Sequence, residues 1–167
     1  MIEGLLLTMI HEGPRVIADP DNYQARANIM WAGMMAHNNS CGVGRTQDWT
    51  SHNIEHELSA LYDCAHGAGL AVVMPAVFTY TLEHNVMRFA QAAVRVWGCQ
   101  MDFADPKRTA LEGIEALRNF LISIGMPKNF AELGAKEEDI EKLAHTCCYG
   151  DVNTGTCLLY TSPSPRD

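Results

Sequence analysis

No segment of this chain carries a run of lysine or arginine. Its 167 residues hold 12 Lys and Arg against 20 Asp and Glu, a net charge of −8. Without a basic stripe nothing neutralises a phosphate backbone, which excludes nucleic acid as the main partner. Long apolar runs are missing too. The longest, Gly69 to Phe78, is ten residues, about half the ~20 that a membrane-spanning helix needs. The opening "MIEGLLLTMIHEGP" has Glu3 where a secretory leader would carry positive charge, and no small-residue cleavage pattern. These features predict a soluble, cytoplasmic protein with no membrane partner.

Other absences narrow the chemistry. The six cysteines, at 41, 64, 99, 147, 148 and 157, form no C-x-x-C pair, so reduced and mostly buried thiols are expected. There is no G-x-G-x-x-G or G-x-x-x-x-G-K loop for a nucleotide. No five-residue run alternates as a half-buried strand does, and no internal repeat occurs.

What is present is helical. Ile2, Leu5, Leu6, Met9 and Ile10 share a face, and "EGP" is expected to end that run. "DPDNYQARANIMWAGMMAHN" offers Asp19 as an N-cap and Pro20 at the first helical position. A third helix starts between Asp48 and Ser51 and stops near Tyr62, and a fourth covers about 66–83 with a bend at Pro75. "VMRFAQAAVRVWG" ends at Gly98, "DPKRTALEGIEALRNFLISIGMP" has strong signals at both ends, and a last helix covers about 136–147. The fold class is all-α.

"SHNIEHELSALYDCAHGAGL" gathers three of the chain's seven histidines. Four residues on a helix turn through ~400°, so His52 and His56 project from one face ~6 Å apart. On an unbroken helix His66 would lie ~21 Å from His52, too far for ligands that each sit ~2.1 Å from one ion. The chain must turn back if they share a metal, and "YDCAHGAG" suits a turn. Gly67 and Gly69 would also let a ligand approach the backbone. "HELSA" is not H-E-x-x-H, because Ala60 takes the second histidine's place; a zincin protease is out. His11, His37, His84 and His145 stand alone.

Residues 157–167, "CLLYTSPSPRD", shift abruptly to Ser, Thr and Pro. Back-translated, they match one reading frame of a transposase adapter used in sequencing libraries. They are expected to be a non-native tail, leaving 1–156 as the domain and implying a longer natural protein.

The segments "GPRVIADPDNYQARANIMWAGMMAHN", "GRTQDWTSHNIEHELSALYDCAHGAGLAVVMPA" and "RFAQAAVRVWG" closely resemble the iron-containing alcohol dehydrogenases, in their butanol-dehydrogenase-like branch. The likeness runs in register from about Ile2 to Asp151. It implies the C-terminal helical domain of a dehydroquinate-synthase-like fold, truncated at both ends, with the α/β domain that binds NAD or NADP lying upstream. It also implies that His52 and His66 are two of four ligands to Fe²⁺, with Zn²⁺ as an alternative. His56 matches a position that faces the nicotinamide and substrate and serves as the catalytic and cofactor-facing residue. The other two ligands belong to a D-x-x-x-H segment upstream of "EGLL". The implied reaction interconverts small primary alcohols and aldehydes by hydride transfer, in an enzyme that is a homodimer at full length, and a fragment of it should be inactive. The rival reading is a small helical metal-binding protein using His52, His56 and His66 together.

Overall fold

The computed structural model describes residues 1–148, so the expected tail at 157–167 lies outside the described residues. Those residues form seven α-helices, α1 (Ile2–Ala18), α2 (Tyr23–His37), α3 (Thr50–Tyr62), α4 (His66–Thr81), α5 (Val86–Trp97), α6 (Pro106–Ser123) and α7 (Ile140–Cys147). Two 3₁₀ turns, Leu82–His84 and Glu137–Asp139, complete the regular structure, and no strand occurs among the described residues. The all-α expectation is met. None of these helices is long and apolar enough to cross a membrane.

Side-chain caps open α2, α5 and α6. Asn85 accepts a bond from the Arg88 amide at 3.1 Å to open α5, and Gly98 closes it at φ 72°. Asp105 opens α6 with Pro106 at its first position, where the missing N–H costs nothing. Helix α4 continues on both sides of Pro75, which is buried.

Two boundaries differ from the sequence expectation. Helix α1 does not stop at "EGP" but runs through Pro14 to Ala18. One ladder bond is lost at Pro14, yet that turn is tied down from outside. Buried Glu12 accepts from Arg15 at 2.8 Å and from Asn28 of α2 at 3.1 Å. Asp19 therefore ends α1 in extended backbone rather than starting α2, and Asn22 caps α2 by accepting from the Ala25 amide at 3.0 Å. The cysteines differ as well. All five within 1–148 are half-buried rather than core, because each sits in a loop or at a helix end.

Successive helices pack in pairs, α1 on α2, α3 on α4 and α5 on α6, and α4 lies across α6 while α7 rests on α3. The core is centred on Leu82, Ala90, Ala110 and Ile114, bordered by Phe78, Val86, Phe89 and Met101. Helices α5 and α6 approach closely at Gly113, where an added Cβ would stand 2.8 Å from the Ala93 Cα and overlap its Cβ. Tyr62 fastens α3 to the start of α7. Its hydroxyl donates to Asp139 and accepts from the Lys136 amide at 3.1 Å.

Candidate metal centre

Helix α3 begins where Asp48 accepts from the Thr50 amide at 2.9 Å. That start fixes the phase of the helix, and four-residue spacing then places the His52 and His56 rings 6.4 Å apart. The chain reverses after Tyr62. Asp63 adopts the left-handed region at φ 50°, and its amide donates to the Ser59 carbonyl at 2.9 Å. The turn is thus made by Asp63, while Gly67 and Gly69 lie inside α4. Asp is one of the few residues with a side chain that tolerate such a φ.

His66 is the first residue of α4. The reversal brings its ring centre to 5.3 Å from His52 and 5.4 Å from His56. Two imidazoles on one tetrahedral ion, with ~2.1 Å metal–nitrogen bonds, have ring centres ~5.4 Å apart. The ligand atoms of Glu55, His56 and His66 also lie within 4.8 Å of one another. His56 and His66 are exposed, whereas His52 is half-buried and edge-on to Trp49. The remaining histidines, at 11, 37, 84 and 145, are exposed and outside this group.

Burial pushes the His52 pKa below its ordinary value, and the neighbouring His66 and His56 push it the same way against the opposing charge of Glu55. The neutral ring this favours is the form that binds a metal. Imidazole nitrogens beside a carboxylate suit Fe²⁺ and Zn²⁺ alike, so the donor chemistry fits a divalent ion of either kind.

Glu55 is a participant the sequence reading missed. It is fully buried, and its carboxylate bonds the His66 Nδ1 and the Ser59 hydroxyl. The i, i+4 spacing of Glu55 and Ser59 was available in the sequence, but the partner His66, eleven residues on, is reached only through the fold. The space beside Gly69, read as room for a ligand, is filled by the Glu55 side chain, and Gly67 has no neighbour within 4 Å of where its Cβ would be.

Residues 1–157 match the model of the Fe-containing alcohol dehydrogenase family, C-terminal. The chain belongs to that family. "Probable NADH-dependent butanol dehydrogenase 1" of Bacillus subtilis is 38% identical over 144 residues, covering 86% of this chain and 37% of its own length. "NADPH-dependent aldehyde reductase YqhD" of Escherichia coli is 37% identical over 141 residues, covering 84% of this chain and 36% of its own. Among solved structures, NADH-dependent butanol dehydrogenase A from Thermotoga maritima superposes with a TM-score of 0.84 at 40% identity, over 88% of this chain and 36% of that one. The chain therefore spans a little over a third of the length of these relatives.

Proposed function

We propose that this chain is the metal-holding part of an NAD(P)-dependent alcohol dehydrogenase that interconverts primary alcohols and aldehydes by hydride transfer. In this reading His52 and His66 are ligands to Fe²⁺ or Zn²⁺, and His56 faces the substrate and the nicotinamide. The observation that carries it is the meeting of His52, His56 and His66 at ring separations of 5.3 to 6.4 Å, in a chain of the Fe-containing alcohol dehydrogenase family.

A divalent ion held there supplies Lewis acidity toward the reacting oxygen. The protein's own groups set up the rest. Burial and the neighbouring imidazoles push the His52 pKa down, toward the neutral form whose lone pair coordinates a metal. His56 is exposed beside His52, and its ring can orient the substrate oxygen or hold its proton at a ring nitrogen. Both His52 and His56 stand at a suitable distance from His66. The family resemblance favours His52 as the ligand.

Calorimetric titration of Zn²⁺ or Fe²⁺ into the chain and into His52→Ala, His56→Ala and His66→Ala tests the assignment. Uptake should fall sharply for His52→Ala and His66→Ala and change little for His56→Ala. The catalytic half is tested by joining the chain to the dinucleotide-binding portion of the Bacillus subtilis relative and assaying primary alcohols with both nicotinamide cofactors. A folded, metal-loaded hybrid that turns over no alcohol or aldehyde would overturn the proposal.

A further inference from the structure

Glu55 has no exposed surface, an expensive place for a carboxylate unless its oxygens are bonded. Both are: one to the His66 Nδ1 and the other to the Ser59 hydroxyl. Helix α4 is shaped around it. A Cβ at Gly69 would overlap a Glu55 carboxylate oxygen and stand 2.6 Å from its Cγ and 2.9 Å from its Cδ, so only glycine admits this side chain under the first turn of α4.

A carboxylate accepts hydrogen bonds and donates none, so its partner nitrogen must carry the proton. His66 is then the Nδ1–H tautomer, with its lone pair on Nε2. Metal-binding histidines commonly have their second nitrogen held by a carboxylate in this way, and losing that partner typically costs 10–100-fold in affinity. Glu55 could instead be a ligand itself, since its oxygens lie within 4.8 Å of nitrogens of His56 and His66. Its complete burial and two existing bonds argue against that role.

We infer that Glu55, seated by Ser59 and Gly69, is a positioning residue that fixes the tautomer and orientation of His66. The inference rests on the metal-site reading above and deepens it. Two measurements on the ¹⁵N-labelled chain test it. Long-range ¹H–¹⁵N correlation of the His66 ring, at about pH 8 where a histidine is neutral, should show one Nδ1–H tautomer without metal. In Glu55→Gln the amide offers both a donor and an acceptor, so the ring should become a tautomer mixture and Zn²⁺ affinity should fall by about 10-fold or more. Ser59→Ala should move both readouts less, in the same direction, and serves if Glu55→Gln does not fold.

An Nε2–H or mixed ring in the unsubstituted chain overturns the inference. So does a folded Glu55→Gln whose His66 tautomer is unchanged, whether Zn²⁺ affinity is kept or lost; loss would mark Glu55 as a direct ligand. A pure Nδ1–H ring that turns mixed in Glu55→Gln, in a chain that takes up no Zn²⁺, supports the positioning role and overturns the metal reading instead.

Discussion

His52 gives the site a pH-dependent share of folding stability. Its pKa in the folded chain is lowered by burial and by the adjacent His66 and His56, whereas in the unfolded chain it returns to about 6.5. Between those two values the unfolded state binds more protons, so stability is fully present above about 6.5 and is lost as pH falls through the folded value. Thermal unfolding followed from pH 8 to pH 5 should show a steeper acid loss for the natural chain than for His52→Asn. Equal slopes would mean the ring titrates normally. Gly69 is the second informative residue. Gly69→Ala gains about 1 kcal/mol of helix propensity but drives a methyl into the buried Glu55 carboxylate. A net destabilisation of about 1–3 kcal/mol is expected in urea unfolding, as for overpacked cores.

At the scale of elements, helices with strong terminal signals were legible and those held by tertiary bonds were not. Gly98 closes α5, and Asp105 with Pro106 opens α6, as local chemistry dictates. Helix α1 continues past "EGP" because its decisive bonds include one from Asn28, sixteen residues away. Glu12, which receives them, has its pKa held low. Burial works in the opposite direction, but the hydrogen bonds from Asn28 and His11 and the charge of Arg15 outweigh it. Its contribution to joining α1 and α2 should be present above the usual glutamate range and vanish as pH falls below it. Glu12→Gln should flatten that part of the acid limb in the same unfolding series. The α5–α6 contact makes a sharper prediction. Gly113→Ala would press a Cβ against the Ala93 backbone, so it should destabilise by about 1–3 kcal/mol despite better helix propensity. An unchanged urea midpoint would show that the two helices can separate at little cost.

For the whole molecule, the imidazole cluster and the hydride chemistry need different supports. Hydride transfer requires a nicotinamide held in fixed geometry against the reacting carbon, while the described residues form helices and loops without a strand, and the relatives are more than twice as long. The 167-residue chain alone is expected to show no nicotinamide-linked turnover with any primary alcohol, with or without Fe²⁺ or Zn²⁺. The hybrid described above should be active, and His52→Ala or His66→Ala should lower its rate by about 100-fold or more. Absorbance of the reduced nicotinamide follows both assays. Turnover by the chain alone would require a cofactor site within these helices.

By itself the sequence determined the helical class, most helix ends, and the segment in which the chemistry would lie. Those properties are local: capping side chains, 3.6-residue periodicity and the i, i+4 pairing of His52 and His56 act within a few residues of the backbone they organise. The family resemblance already implied that His66 meets that pair; only the tertiary structure decided that Asp63 makes the turn that brings it there and that Glu55 lies buried beneath it. Such features depend on how α4 packs back on α3. That packing reflects burial and close approach between residues distant in sequence, at Gly69 above all, and no local pattern encodes it.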